Sequence, residues 1–173
     1  LVDELQIKAE AARKASRMLA RLSSSVKDQA LENIAEALTA RQGEVLRANE
    51  RDLEAGRRDG LSDAVLDRLL LDADRLEGLA ADVRRVRALP DPLAETFDMR
   101  TLPNGLSAGK RRVPLGVIGA IYESRPDVTV DIAVLCLKSG NAVILRGGKE
   151  AVHSNTALSE IVRDCLSEAG IPQ

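Results

Sequence analysis

The sequence predicts an α/β protein in three parts: a helical N-terminal segment over 1–96, a β-hairpin arm over 97–113, and from 114 to 173 the first βαβα unit of a parallel sheet. Three observations carry this. Two apolar runs, Leu115–Tyr122 and Ala142–Leu145, flank a helical stretch from Val128 to Lys138, which reads strand, loop, helix, strand. Most of the residues before Pro90 repeat apolar positions at helical spacing. Between these regions Asn104-Gly105 separates two short extended stretches, the pattern of a tight hairpin.

In order, the chain opens with a helix over residues 3–22, where Leu5, Ala9, Ala12, Ala15, Leu19 and Leu22 form a stripe with Met18 beside it. Ser25 with Asp28 three positions on resembles a capping box for a second helix, whose buried stripe is Leu31, Ile34, Ala35 and Leu38. Gly43 breaks or bends that helix before Val45, Leu46, Ala48 and Leu53 carry the pattern to Gly56. Ser62 is the expected N-cap of a short helix ending at Leu69. Asp72 is the expected cap of another that runs to Leu89 and stops at Pro90-Asp91-Pro92. Acidic and basic residues alternate around these helices, as on solvated faces.

Asn104-Gly105 then supplies two positive-φ residues to a turn between Phe97–Pro103 and Leu106–Val113. The triplet Lys110-Arg111-Arg112 reads as a solvated strand edge. A lone ribbon is marginally stable, so it is expected to pack on another part of the protein or on a partner subunit.

The two apolar runs that follow suit strands buried on both faces. Between them Val128, Ile132 and Leu135 share one helical face, with Ala133 and Cys136 beside it. Gly140 ends this helix in the left-handed region, and Lys138 suits its negative end. Strands joined through a helix run parallel with a right-handed crossover. A last helix is expected over Val152–Ala169, stopped by Gly170 and Pro172. Two parallel strands leave an apolar edge unpaired, so the chain reads as the front part of a longer polypeptide, and its start at Leu1 reads as a lost native start.

Composition narrows the function classes. The apolar 45% comes from Leu, Ala and Val, with one Phe, one Tyr and no Trp, so stacking on nucleic-acid bases is nearly absent. Lys+Arg 25 against Asp+Glu 27, well mixed, argues against a DNA or RNA partner. No apolar run approaches the ~20 residues of a membrane span. Two cysteines and no secretory segment point to a reducing, cytoplasmic setting.

Neither Cys136 nor Cys165 has a general base nearby in sequence, so both read as buried structural thiols. His153 is the only histidine and lacks companions for a metal. Arg146-Gly147-Gly148-Lys149-Glu150 follows a strand and precedes a helix, where phosphate or ribose groups meet free backbone amides. By its residues alone it is either a nucleotide site or a plain strand-to-helix turn. It is not a Walker A loop, and Gly116-Val117-Ile118-Gly119 lacks the dinucleotide fingerprint. Tyr122 to Asp127 stands at the carboxyl end of the first strand, where ligands gather in open α/β sheets. There Arg125 can grip a carboxylate or phosphate in two-pronged fashion, and Asp127 is either a helix cap or part of a ligand site.

The stretch VPLGVIGAIYESRPDVTVDIAVLCLKSGNAVILRGGKEAVHSN resembles the γ-glutamyl phosphate reductase family of the aldehyde dehydrogenase superfamily. Ala48-Asn49, Asp52-Leu53, Gly60-Leu61-Ser62, Asp67-Arg68-Leu69 and Leu89-Pro90-Asp91-Pro92 agree with it, so the likeness covers nearly the whole chain. The resemblance implies an aldehyde dehydrogenase-like, Rossmann-like NAD(P)-binding domain, incomplete here. It also implies NADPH-dependent reduction of L-glutamyl 5-phosphate to L-glutamate 5-semialdehyde and phosphate in proline biosynthesis. In that chemistry a cysteine thiolate displaces phosphate to give a thioester, and hydride then releases the aldehyde.

By the same resemblance Ile121, Tyr122, Glu123 and Ser124 line the cofactor cleft, with Arg125 and Asp127 toward the substrate. Arg146 stands where the superfamily has a lysine that holds the adenosine ribose, and Gly147, Gly148, Lys149 and Glu150 lie near the 2′-phosphate; an arginine there suits NADPH. Arg125 stands where the wider superfamily has an oxyanion-hole asparagine. The family's nucleophilic cysteine lies beyond these residues, so no catalytic residue is assigned and the 173 residues alone are expected to be inactive. The implied partners are glutamyl phosphate, further copies of the chain and the preceding glutamate kinase. The alternatives are another aldehyde or acyl-phosphate dehydrogenase of the superfamily, and a non-catalytic helical interaction module.

Overall fold

The computed structural model describes residues 2–172. Five helices come first: α1 Val2–Leu19, α2 Ser24–Ala40, α3 Gln42–Arg58, α4 Asp63–Leu69 and α5 Ala73–Ala88. Leu31, Ile34, Ala35 and Leu38 are buried as their spacing predicts, as are Val45, Ala48 and Leu53. In α1 only the last turns reach the core: Ala15 and Leu19 are buried, whereas Leu5 and Met18 are exposed.

Three local expectations shift. The box at Ser25 does not form, because α2 starts earlier: Ser23 is its cap and accepts from the Val26 amide at 3.4 Å, while Asp28 accepts from Lys138 Nζ at 2.7 Å. The break after α2 falls at Arg41, not Gly43. Arg41 leaves helical geometry (φ −103°, ψ 16°), and its guanidinium bridges Glu44 and Asp164 at 2.8 and 2.7 Å. Ser62 stands at the N-cap of α4 without a hydroxyl cap bond, whereas Asp72 caps α5, accepting from the Arg75 amide at 2.7 Å.

Strands β1 (Thr96–Thr101) and β2 (Ser107–Arg111) form the antiparallel ribbon, with a bulge between Phe97 and Arg100 where Asp98 adopts φ 54°. The turn differs from the expected two-residue form. Only Gly105 has positive φ (84°), and the Leu102 amide donates to Leu106 O at 2.8 Å, which makes a longer loop ending in a left-handed glycine. The basic triplet is not merely solvated: Lys110 pairs with Asp98 at 2.7 Å, and Arg112 pairs with Glu95 and lies 5.0 Å over the Phe97 ring.

Strands β3 (Val117–Ile121) and β4 (Ala142–Arg146) pair in parallel, from Val117↔Ala142 to Ile121↔Arg146, and α6 (Asp127–Lys138) joins them. A 3-10 turn at Lys149–Ala151 leads into α7 (Val152–Glu168). The strands are not buried on both faces: Val117 and Ile121 are exposed, Ile121 by 87%. The main helical contacts of the pair are with α1 and α6, and the exposed Val117 and Ile121 leave the outer side of β3 open among the described residues. The buried face of α6 is also turned from the expected one, to Thr129, Val130, Ala133, Val134 and Leu137, with Leu135 exposed, because α2, α5, α7 and β4 all pack on it. Gly140 (φ 73°) closes α6: its amide donates to Leu137 O and that of Asn141 to Cys136 O.

One core joins α1, α2, α3 and α5 to α6, β4 and α7. At its edge two lysines are buried. Lys27, 1% exposed, donates to Lys138 O at 3.2 Å and pairs with Asp91. Lys138, 5% exposed, donates to Asp28 and to Arg87 O, each at 2.7 Å. Lys138 is the basic residue in the last turn of α6, as expected, and Lys27 adds a second cation that bonds its terminal carbonyl. Among the described residues no helix is long and apolar enough to cross a membrane.

Removing one partner of a buried pair strands the other charge, so Lys27→Ala should destabilise the protein by about 3 kcal/mol in urea unfolding. Burial pushes the Asp91 carboxyl up, yet hydrogen bonds from Lys27, Ser24 and the Leu93 amide outweigh it and hold the group below its ordinary value. The stabilisation is therefore complete above about pH 4 and lost as pH falls through the lower folded value. Lys27→Ala should flatten that acid limb of a stability-against-pH curve; an unchanged limb would refute the assignment.

Candidate functional site

Parallel register sets the site. The loops leaving Ile121 and Arg146 start side by side, and the Tyr122 amide donates to Arg146 O at 3.1 Å. Glu150 ties one loop to the other: its Oε1 accepts from the Ser124 amide at 2.8 Å and from Ser124 Oγ at 2.9 Å. Its own backbone N–H, foremost, holds the Glu150 carboxyl below the usual range. Burial opposes this, and the Ser124 bonds and the charge of Lys149 assist it.

Deeper in the cleft the Tyr122 hydroxyl lies 2.7 Å from Thr129 Oγ1, which donates to Asn155 Oδ1 at 3.0 Å. This chain links β3, α6 and α7. The second loop passes so close that a Cβ on Gly147 would collide with the Asn155 amide, and one on Gly148 with the Glu150 carboxylate. Arg146 and Lys149 are exposed. Arg146 Nη1 donates to Gly147 O at 2.9 Å, and Lys149 has no ion pair among the described residues. Two exposed cations beside a backbone without side chains can meet an anionic group.

Of the other sequence-predicted residues, Ile121 and Glu123 are exposed at the mouth. Arg125 and Asp127 pair with each other at 3.0 Å, and no side-chain cap bond opens α6, so Asp127 is an ion-pair partner rather than a cap. Burial first, and the Asp127 charge second, raise the pKa of Asp131 one turn on.

Two of the amides opening α7, those of His153 and Ser154, are not free. Asp52, 2% exposed on α3, accepts from the His153 amide at 3.1 Å, the Ser154 amide at 2.7 Å and Ser154 Oγ at 2.6 Å. Asn49, one turn earlier, donates to Ser154 Oγ at 3.0 Å and Leu69 O at 2.7 Å, and accepts from the Leu71 amide at 2.8 Å. Sequence reasoning missed this network. Its signal was two short polar side chains on the same face as Val45, Ala48 and Leu53. Cys136 and Cys165 are buried free thiols, and burial pushes both pKa values up. No group of residues able to hold a metal ion occurs among the described residues.

No family model matches the chain. Curated proteins do. The chain is 56% identical over 170 residues to the γ-glutamyl phosphate reductase of Dehalococcoides mccartyi, a match covering 98% of this chain and 40% of that protein. The crystal structure of γ-glutamyl phosphate reductase from Thermotoga maritima superposes with a TM-score of 0.95 at 41% identity, over 98% of this chain and 41% of that one. A probable aldehyde dehydrogenase from Listeria monocytogenes gives 0.72 at 18% identity over 99% of this chain and 35% of the other, which shows the shared fold alone. The resemblance read from the sequence is borne out in sequence and in fold. The chain spans about two-fifths of the length of the curated relatives it matches.

Asp52→Ala would leave the buried amide and hydroxyl of Ser154 and the half-buried His153 amide without their acceptor, at a cost of about 2–3 kcal/mol. Urea melts should show that loss, with Asp52→Asn losing less because its carbonyl oxygen still accepts; an alanine variant as stable as wild type would contradict the network.

Proposed function

We propose, from the chain's kinship with the γ-glutamyl phosphate reductases, that the protein carrying it reduces L-glutamyl 5-phosphate to L-glutamate 5-semialdehyde and phosphate in proline biosynthesis, using NADPH. The observation that carries the reading is 56% identity along 98% of the chain to a protein of that name. The adjoining loop ends after β3 and β4 support it, because they supply the cations and bare backbone that a dinucleotide requires.

In this reading Ile121, Tyr122, Glu123 and Ser124 line the nicotinamide side of the cleft. Arg146 holds the adenosine ribose, and the turn Gly147–Glu150 lies beside its 2′-phosphate. Bound there, the cofactor supplies hydride. Arg125 offers a fixed cation to the substrate, and its pairing with Asp127 orients the guanidinium at 3.0 Å. Neither Cys136 nor Cys165 is the nucleophile: each is buried and its thiol is harder to ionise than a free one. Residues 1–96 and 97–113 are a helical lead-in and an arm through which copies of the chain associate, with 114–173 beginning the cofactor domain. We place the enzyme in the cytoplasm and name glutamate kinase, which makes the labile substrate, as its partner.

The whole protein should oxidise NADPH when glutamate kinase generates glutamyl phosphate in the cuvette. No turnover, or equal rates on unrelated aldehydes, would defeat the proposal. Arg146→Ala should raise KM for NADPH about tenfold while changing kcat less, the pattern of lost uniform binding; a fall in kcat at constant KM would move Arg146 out of the ribose site.

A further inference from the structure

The turn after β4 carries opposite charges on adjacent residues, Lys149 and Glu150. At a ribose these do contrary things. A free carboxylate accepts from sugar hydroxyls and repels an added phosphate, whereas a free ammonium attracts one. Which of the two the cofactor meets is therefore decided by what restrains the other.

The structure restrains Glu150. Its Oε1 is held by the Ser124 amide and hydroxyl at 2.8 and 2.9 Å, so the carboxylate is drawn toward the first loop. Lys149 stays exposed with no ion pair among the described residues. Asp52 occupies the His153 and Ser154 amides at the positive end of α7, so that helix end is closed to a phosphate. The choice between cofactors then falls to the turn and its side chains. Ser124 lies 26 residues from Glu150 in sequence and adds a hydroxyl to the donor that its backbone already provides.

We propose that Ser124 is a positioning residue for cofactor choice: by holding the Glu150 carboxylate it leaves Lys149 as the charge met by an extra phosphate on the cofactor ribose, and so favours NADPH over NADH. This rests on the reading of Gly147–Glu150 as the ribose site. Without the hydroxyl the carboxylate keeps only backbone donors, the Ser124 amide and its own, and is held less firmly against turning toward Lys149 and neutralising it.

The test uses the whole protein and two readouts: dissociation constants for NADP+ and NAD+ by titration calorimetry, and kcat/KM with NADPH and NADH. Ser124→Ala should weaken NADP+ about tenfold, the scale of one partly screened charge contact, and NAD+ much less. Ser124→Thr, which restores a hydroxyl, should recover the ratio, as should the double variant Ser124→Ala with Glu150→Gln. Equal weakening of both cofactors, an unchanged ratio, or no recovery in the double variant overturns the inference. If Ser124→Ala does not fold, Lys149→Gln decides: it should weaken NADP+ and spare NAD+, and an unaltered NADP+ affinity overturns the inference. A wild type that prefers NADP+ in calorimetry yet fails to turn over glutamyl phosphate would overturn the proposed reaction, with the binding ratio still judging Ser124. A wild type that binds neither dinucleotide overturns both.

Discussion

The parallel pairing of β3 with β4 is the constraint from which the site follows. Had these strands run in opposite directions, their loops would open at opposite ends of the sheet and no cleft would form between them. Running together in register, they bring Tyr122 within hydrogen-bond reach of Arg146 and let Glu150 reach Ser124. The register begins at Asn141, whose side chain accepts from the Gly116 amide at 2.8 Å while the Ala142 amide donates to Gly116 O at 2.9 Å. Gly140, in a conformation that costs glycine little, turns the chain from α6 directly into that clamp. A slip of one residue would exchange the faces of β4 and carry Arg146 away from the cleft.

An interior of Leu, Ala and Val, with almost no aromatic rings, has few large anchors to fix how its layers meet. Here buried polar groups do that work. Lys27 ties α2 to the end of α6, Lys138 ties α6 back to α2 and α5, and Asp52 with Asn49 ties α3 to α7. Among the described residues every buried side-chain nitrogen and oxygen has a partner. Such groups add little net energy over a well-packed apolar substitute, but any displacement leaves a charge or amide unpaired. They act on geometry more than on stability.

That distinction explains what was legible in the sequence. Periodicity exposed the helices, the crossover and the hairpin, because local pattern alone decides them: Leu31, Ile34, Ala35 and Leu38 were readable as one stripe without knowing what covers it. Cap positions slipped by a residue or two, since Ser23, Ser24 and Ser25 are equivalent until tertiary contacts choose among them. The rotation of α6 was not legible, because four neighbours define its buried side. Nor was the pairing of Lys27 with Asp91, or of Asp52 with Ser154, for nothing in sequence announces a contact between segments so far apart. The loops of the candidate site stand out by pattern and resemblance, but the commitment of Glu150 to Ser124 is tertiary and appears only once β3 and β4 are side by side.

The capping of α7 by Asp52 links these themes to chemistry. A helix that follows a strand and a glycine pair would ordinarily offer its first amides to a phosphate. In this fold the positive end is occupied from within by a carboxylate on α3, so α3 is locked to α7 at a helix end otherwise open to an anion. The cations nearest to it, Arg146 and Lys149, stand outside as exposed side chains. Under the proposed assignment fold and cofactor preference are thereby separable: substitutions at Asp52 would act on the first, while those at Ser124, Lys149 and Glu150 would act on the second. In a site where the helix end itself held the phosphate, one substitution would alter both together.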